Sequence, residues 1–222
     1  MDSSRFSNSY LNLDAIMKNL YNKIYKEYLN ILNLFNDLIL AIVTIMPGAT
    51  GIRLRHRYYT LQGAKLAKNV RLYEGVVIKG AANCIIEDGS ILYAGTTLAI
   101  GSSGFFRMGK YSHFGARCYV LVGDGNIGVG NQTAIGPHTL LLAHSNSVNG
   151  DYPIVETVYS GTITIDDDVF IGAGVIVLPN VSIPSHCVVG AGAVVIRDLE
   201  EWSISVGCPA QVIKNRLDKK KF

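Results

Sequence analysis

The chain has 222 residues, of which 49% are hydrophobic, so it can bury a sizeable core in one domain with an appendage. Its formal net charge of +3 is close to balance and argues against a dedicated nucleic-acid-binding protein. The cysteines lie far apart, without the short paired spacing of a zinc site or a secreted disulfide framework: Cys84, Cys118, Cys187 and Cys208. We therefore expect a protein of the reducing cytoplasm, without an export leader.

Residues 1–63 are predicted to form an N-terminal helical segment. Between Tyr28 and Ile45 the polar residues lie near one side of a helix, which leaves a broad apolar face: Asn30, Asn33, Asp37 and Thr44. The longest apolar run, from Leu38 to Val43 and on to Met46, is about half of the 20 residues that span a bilayer. We expect this run not to cross a membrane. Its apolar face could pack on the following domain or a neighbouring subunit, or rest on a membrane surface, and the sequence leaves both open.

Residues 64–200 carry a repeat of six residues, with one apolar side chain in each hexad. These core positions are Leu66, Leu72, Ile78, Ile86, Leu92, Leu98, Met108, Phe114, Val120, Val129, Ile135, Leu141, Ile165, Ile171, Val177, Ile183, Val189 and Val195. A second position, four residues after each core position, is held mostly by small side chains. Asp124 is its one poor fit.

Extra residues interrupt the six-residue spacing only after groups of three hexads, at residues 84–85, 104–107, 126–128 and 147–164. Three hexads therefore behave as one unit that tolerates insertions at a single point. A coil with three flat faces and three corners has this property, and stacking such coils buries a narrow apolar column. The pattern predicts six stacked coils over residues 64–200, a protruding loop at 147–164 and a C-terminal extension at 201–222.

This repeat, and the stretch IDDDVFIGAGVIVLPNVSIPSHCVVGAGAVVIRDLEEWSISVGCPAQVIKNR at 165–216 in particular, resembles the hexapeptide-repeat acyltransferases. The segment MPGATGIRLRHRYY at 46–59 is similar to the Pro-Gly-x-x-Gly-x-x-Leu-Arg pattern that precedes the β-helix of bacterial sugar and polysaccharide O-acetyltransferases. The resemblance covers residues 64–216. It implies an all-β solenoid, a left-handed parallel β-helix of about six three-sided coils.

His144 in the stretch LLLAHSN follows the core position Leu141 by three residues and stands at the base of the long loop. The family pattern has a histidine here, about twenty residues before an Ile-x-x-x-x-Trp-Ile-Gly strand, which in this chain has Phe170 in place of tryptophan. The resemblance therefore implies that His144 is the catalytic base. A neutral imidazole can take the proton of a sugar hydroxyl, and backbone N–H groups can stabilise the oxyanion. His138 lies one hexad earlier, and we expect its imidazole to leave a different face.

Acetyl-CoA is the co-substrate that the resemblance implies, bound along a groove between neighbouring β-helices. Ala173 in IGAGV and Ala191 in VGAGAV match the small residues that let pantetheine approach the backbone. Arg197 stands where the family usually has lysine, and Lys214 stands among its C-terminal basic residues, so both could meet CoA phosphates. No metal is expected.

The sequence thus predicts a trimeric CoA-dependent O-acetyltransferase that acts on a sugar hydroxyl of a surface polysaccharide or its precursor. We expect it in the cytoplasm or at the inner face of the membrane, with a carbohydrate acceptor and no nucleic-acid partner. N-acylation of an amino sugar is the alternative. Two other classes are open: a zinc hydratase similar to the γ-class carbonic anhydrases, using His113, His138 and His144, and a non-catalytic scaffold.

Overall fold

A computed structural model describes residues 4–147 and 150–218, with side chains from residue 17 onwards except those of residues 32 and 33. Residues 148 and 149 of the predicted loop and the last four residues of the predicted extension lie outside the described residues. Contacts within the chain divide it into two units, one ending at Val43 and the other beginning at Thr44.

The first element is a long helix, α1, from Ser4 to Ile45. Its part from Met17 to Ile45 has 29 residues and is, by length and composition, sufficient to cross a membrane. Large apolar side chains on this part are exposed, among them Ile24, Ile31 and Leu34. The apolar run that begins at Leu38 is therefore the last part of a longer apolar segment, Met17–Ile45.

A second helix, α2, runs from Gly48 to Leu61 and caps the first coil of the second unit. Three of its side chains hydrogen-bond to carbonyl oxygens of that coil: His56 Nε2 to Ala67 at 2.9 Å, Arg55 Nε to Leu72 at 2.8 Å and Tyr59 Oη to Val76 at 3.0 Å. These bonds satisfy backbone acceptors that no preceding coil can reach. The helical segment that the sequence predicts up to residue 63 thus includes a helix that belongs to the same unit as the repeats.

The repeats form a parallel β-solenoid of six turns, as predicted. The first face consists of Lys65–Leu66, Cys84–Ile86, Phe105–Met108, Asn126–Val129, Thr162–Ile165 and Val181–Ile183. The second face consists of Arg71–Leu72, Ile91–Leu92, His113–Phe114, Ala134–Ile135, Phe170–Ile171, Val188–Val189 and Ser203–Val206, followed by the antiparallel strand Gln211–Asn215. The third face consists of Val77–Lys79, Thr97–Ile100, Tyr119–Gly123, Leu140–Leu142, Ile176–Val177 and Val194–Val195.

The core positions fill the interior of the solenoid. Seventeen of the eighteen are buried, and Leu66, the first of them, is half-buried. The side chains four residues after each core position do not all point inward. Each coil has three such positions, and in the first four coils the third one is exposed: Ala82, Ser102, Asp124 and Ser145. These four residues lie at the corner where the chain leaves the regular coil, so the six-residue spacing no longer sets their direction.

The three corners differ in backbone geometry. The first corner joins the first and second faces, the second corner joins the second and third, and the third corner joins the third face to the first face of the next coil. At the first two corners most residues three positions after a core position have a positive φ, at which glycine, asparagine and aspartate are the least strained. They include Gly89, Gln132, Asp168 and His186 at the first corner, and Gly95, Arg117, His138 and Gly174 at the second.

Insertions leave the solenoid only at the third corner, as the interruptions of the repeat predict. The first holds a 3-10 helix, Ala81–Asn83. The longest extends from Ala143 to Gly161 and contains a hairpin, His144–Asn146 with Val158–Ser160, and a 3-10 helix, Ile154–Glu156. Residues 162–164 of the predicted loop belong instead to the first face, because Thr162–Ile165 alternates between exposed and buried side chains.

Candidate active site

His144 opens the hairpin at the third corner, in the fourth coil. Its backbone pairs with that of Ser160 on the returning strand, so the two side chains lie on the same side of the hairpin. The Nδ1 atom of His144 lies 3.0 Å from Oγ of Ser160, a hydrogen-bond distance. His144 as a whole is half-buried.

The floor under the imidazole is Gly123, the corresponding residue one coil earlier. A Cβ on Gly123 would lie 2.3 Å from Cγ of His144, so any larger residue would displace the ring. The φ of Gly123 is +53°, a conformation that side chains rarely adopt. Gly123 therefore allows the chain to turn at this point and leaves room for the imidazole of His144.

Asp124, next to this glycine, places a carboxylate near the imidazole. Its Oδ1 accepts a hydrogen bond from the backbone N–H of Ser103 at 3.3 Å. Hydrogen bonds from Ser103 hold the pKa of Asp124 below its ordinary value, and the charge of His144 acts in the same direction. The carboxylate of Asp124 is therefore ionised at neutral pH.

The rest of the hairpin is held by polar contacts that cross it. Asn146 Nδ2 donates to the carbonyl oxygens of Ile154 and Thr157, at 3.0 and 3.2 Å. Tyr159 Oη is hydrogen-bonded to the side-chain amide of Asn180, whose Oδ1 accepts from the backbone N–H of Thr162 at 2.9 Å. These contacts fix the hairpin to the fifth coil, and His144 with it.

The other two histidines of the zinc-hydratase alternative lie elsewhere on the solenoid. His138 is an exposed turn residue of the second corner, with a φ of +58°, so it leaves the coil at a different corner from His144, as expected. His113 points outward from the second face, where burial lowers its pKa. Over the described parts of the chain, no group of three or more His, Cys, Asp or Glu side chains could hold a metal ion.

The predicted CoA residues are divided between two corners and the C-terminal strand. Ala173 and Ala191 are exposed and stacked at the second corner, where Gly192 N–H donates to the carbonyl oxygen of Ala173 at 2.9 Å. Arg197 is exposed at the third corner, two coils beyond His144, or roughly 10 Å along the axis at the usual strand spacing. Lys214 is half-buried on the C-terminal strand, opposite Ile204.

One copy of the chain therefore does not bring His144 and the two alanines together. The second and third corners are at opposite ends of the third face, and only Arg197 shares a corner with His144.

Ser160 and Asp124 are the residues near the imidazole that sequence reasoning did not select. Ser160 lies in the insertion, which has no repeat from which its position could be read. Asp124, however, was the one poor fit among the small residues, and this exception lies beside His144. Departures from a local rule are expected at functional sites, so this one was a usable signal.

Six coils of hexads, with a histidine-bearing hairpin at one corner, define a hexapeptide-repeat protein. Residues 162–197 match the family model described as bacterial transferase hexapeptide (six repeats).

Sugar and amino-sugar acyltransferases are among the relatives of the chain. The chain is 34% identical over 119 residues to the galactoside O-acetyltransferase of Lactococcus lactis, a match that covers 51% of this chain and 57% of that protein. It is 32% identical over 106 residues to a dTDP-4-amino-4,6-dideoxy-D-glucose acyltransferase of Escherichia coli, covering 45% of this chain and 55% of that protein. The chain thus spans little more than half the length of these relatives.

Among solved structures, the fold is similar to AntD, an N-acyltransferase from Bacillus cereus in complex with dTDP and 3-hydroxybutyryl-CoA. The TM-score is 0.65 at 26% identity, over 72% of this chain and 87% of that chain. The repeat match, the relatives and this structure thus agree in their likeness to hexapeptide-repeat acyltransferases.

Proposed function

We propose that the protein transfers an acetyl group from acetyl-CoA to a sugar hydroxyl of a surface polysaccharide or its precursor. The observation that carries this proposal is the imidazole of His144, held between Ser160 and Gly123 at the base of the hairpin. A hydroxyl is a poor nucleophile, so it requires a base at the point of attack.

In this proposal the Nδ1–H group of His144 donates to Oγ of Ser160, which leaves the lone pair on Nε2. Nε2 accepts the hydroxyl proton as the oxygen attacks the thioester carbonyl. The bond from the carbonyl carbon to sulfur then breaks, and the imidazolium returns the proton to the leaving thiolate. The carboxylate of Asp124 stabilises the imidazolium between these two steps.

The acceptor class rests on the relatives. A galactoside O-acetyltransferase matches at 34% identity, which supports a sugar hydroxyl. The alternative is N-acylation of an amino sugar or a nucleotide-linked amino sugar, which is supported by the dTDP-aminosugar acyltransferase and by AntD. The same imidazole would serve either nucleophile, because each must lose a proton as it attacks.

The donor site is proposed to lie between two copies of the chain. In this arrangement Ala173 and Ala191 of one copy face the third corner of its neighbour, and Arg197 and Lys214 bind CoA phosphates. Three copies close such an interface in a ring, which agrees with the trimer that the family resemblance implies. AntD binds a CoA thioester, and this supports acetyl-CoA as the donor here.

We further propose that the enzyme works in the cytoplasm at the inner face of the membrane, with α1 as its membrane contact. The apolar segment Met17–Ile45 supports this location. A lipid-linked glycan would then present its sugar close to the solenoid.

The decisive experiment incubates the full chain with labelled acetyl-CoA and a panel of acceptors that includes galactosides, oligosaccharides and dTDP-linked amino sugars. We expect label on a hydroxyl of a carbohydrate. The His144→Ala variant should keep the fold and acetyl-CoA binding, while turnover falls by about a hundredfold to ten-thousandfold. Wild-type activity should rise with pH as the imidazole loses its proton.

The matched control is His138→Ala, which removes an exposed imidazole from another corner and should leave turnover nearly unchanged. If both variants acetylate the acceptor at the wild-type rate, His144 is not the base. Label on an amine alone would support N-acylation instead.

The trimer is tested separately by light scattering on the detergent-solubilised full chain. We expect the protein mass of three copies. A monomer at micromolar concentration would contradict the two-copy donor site, because one copy separates His144 from Ala173 and Ala191.

A further inference from the structure

One stretch in the first third of the chain carries basic residues without any acidic ones. No acidic residue occurs between Asp37 and Glu74, while this interval contains Arg53, Arg55, Arg57, Lys65, Lys68 and Arg71. The whole chain has 20 basic and 17 acidic residues, so the remainder is slightly acidic. This asymmetry gives the first coil and α2 a positive field of their own.

Part of this stretch lines a cleft of about 510 Å³ between α2 and the first coil. The wall from α2 carries Arg53 and His56, and the wall from the coil carries Lys68, Asn69 and Arg71. The side chains of Arg53, Lys68 and Arg71 are exposed, and among the described residues that line the cleft none is acidic. A cleft with cations on two walls suits a compact anion such as a phosphate group.

The walls of this cleft are rigid because hydrogen bonds hold them. The Nε2–H group of His56 donates to the carbonyl oxygen of Ala67 at 2.9 Å, which fixes α2 against the coil. The carboxylate of Asp88 accepts hydrogen bonds from the backbone and the side-chain nitrogen of Asn69, each at 3.2 Å. Asp88 therefore supports the turn that carries Lys68, and the cationic groups need no large rearrangement to bind.

The position of the cleft suggests where its ligand comes from. The apolar segment of α1 ends at Ile45, and Arg53 follows eight residues later. The carbonyl oxygen of Thr44 accepts hydrogen bonds from Gly75 N–H at 2.7 Å and from Arg55 Nη1 at 3.3 Å. Thr44, one residue before the end of the apolar segment, is thus bound to the first coil, the coil that also forms the cleft.

We propose that this cleft binds the phosphate of an anionic lipid headgroup and so holds the first coil at the membrane surface. Basic groups that follow an apolar segment are attracted to anionic lipids. Each Lys or Arg near the surface raises the affinity for the membrane by about a factor of five. The proposal is independent of acyl transfer, because it concerns binding in the absence of acetyl-CoA and acceptor.

The test compares vesicles of phosphatidylcholine alone with vesicles that also contain phosphatidylglycerol, using the full chain and a flotation assay. The cleft variant is Arg53→Gln/Arg71→Gln. The control variant, Lys110→Gln/Arg117→Gln, removes the same charge from exposed positions of the third coil. In parallel, inorganic phosphate is titrated into each detergent-solubilised protein while its melting temperature is recorded.

We expect phosphatidylglycerol to strengthen binding of the wild type, and added salt to abolish this gain. The gain should fall by about 30-fold in the cleft variant, because two basic residues are lost, and only slightly in the control. Binding to phosphatidylcholine alone should be equal in all three proteins, since it depends on the apolar helix. If the double variant does not fold, Lys68→Gln replaces it and should lose about fivefold.

Equal losses in the cleft and control variants would overturn the proposal, because they would indicate general attraction rather than a site. A cleft variant that binds like the wild type would overturn it as well. If inorganic phosphate stabilises the wild type but not the cleft variant, and phosphatidylglycerol adds nothing, the cleft takes free phosphate and the assignment to a lipid headgroup is wrong.

Discussion

Gly51 is a position at which one methyl group would disturb the packing of α2. An added Cβ would lie 1.9 Å from the carbonyl oxygen of Met46 and 2.9 Å from Nη2 of Arg55. Arg55 is fully buried and donates from Nη1 to that same carbonyl oxygen at 2.7 Å, and from Nε to Leu72. The Pro-Gly-x-x-Gly-x-x-Leu-Arg pattern at 47–55 thus encodes the contacts that bind α2 to the first coil.

We predict that Gly51→Ala lowers the free energy of unfolding by about 1–3 kcal/mol, the usual cost of forcing an extra group into a packed region. Chemical denaturation of the full chain measures this change. Gly128→Ala is the control, because a Cβ there meets nothing within 4 Å. Equal stability of the Gly51→Ala variant and the wild type would contradict this account of the pattern.

Single residues of the site could be predicted only as far as the repeat extends. His144 is predicted from the family resemblance together with its place at the base of the loop, three residues after Leu141, where the count of hexads stops. Ser160 follows it by sixteen residues in an insertion of irregular structure, and their contact depends on how the hairpin pairs. No repeat in the sequence predicts that pairing, so only the structure identifies Ser160 as the partner of the imidazole.

At the scale of elements, the C-terminal strand Gln211–Asn215 is attached to the solenoid by a cluster at the first corner. The Oδ2 atom of Asp168 is within 2.8 Å of His186 Nδ1 and 2.9 Å of Arg216 Nη1. The His186 ring stacks on Trp202 with the centroids 3.9 Å apart, and Arg216 lies 5.8 Å from the centre of the indole. Lys214, the proposed phosphate contact, depends on this attachment for its position.

The hydrogen bond from His186, together with Arg216, holds the pKa of Asp168 below its ordinary value of about 4. A depressed carboxyl pKa contributes stability that is present above the unfolded value and is lost as the pH falls through the folded value. We therefore predict that Asp168→Asn speeds hydrogen exchange of the C-terminal strand at neutral pH. In the wild type, the same loosening should occur only below about pH 4.

Asp218→Asn serves as the control for this experiment, since it removes the same charge from the C-terminal region without touching the cluster. Its exchange should follow the wild type at every pH. If Asp168→Asn leaves the strand as protected as in the wild type, the cluster does not hold it.

At the scale of the whole molecule, the stability of the solenoid comes from a column one side chain wide per face. Each core position contacts its own coil and the coils directly before and after it, as in other repeat proteins. Leu98 in the second coil is fully buried, whereas Leu66 at the start of the column is half-buried. The cost of removing a core side chain should therefore depend on its place in the stack.

We predict that Leu98→Ala lowers the free energy of unfolding by about 2–5 kcal/mol, because it leaves a cavity that the neighbouring coils cannot fill. Leu66→Ala should cost about 1 kcal/mol, because less of its surface is removed from water. Denaturant titration of both variants gives the comparison. Equal losses at the two positions would show that burial in the column does not set the cost.

The architecture was accessible from the sequence because a solenoid is almost one-dimensional. Each coil repeats the same pattern of strands and corners. Counting hexads from Leu66 to Val195 therefore predicts the faces, the corners and which side chains point into the core. The count is uninformative where the chain leaves the coil. The hairpin, the hydrogen bonds of α2 to the first coil and the cluster at Asp168 join residues that no repeat relates.

The two ends of the solenoid determine whether separate chains can stack end to end at high concentration. Each parallel layer is a template for another, so uncovered terminal layers could recruit further chains and grow into a fibre. Here α2 occupies the carbonyl groups of Ala67, Leu72 and Val76 at one end. At the other end Val194 bonds to Gly207 and Ala210, and the antiparallel strand Gln211–Asn215 covers the second face. Because these contacts occupy backbone groups at both ends, we expect the folded chain not to stack into an extended cross-β polymer.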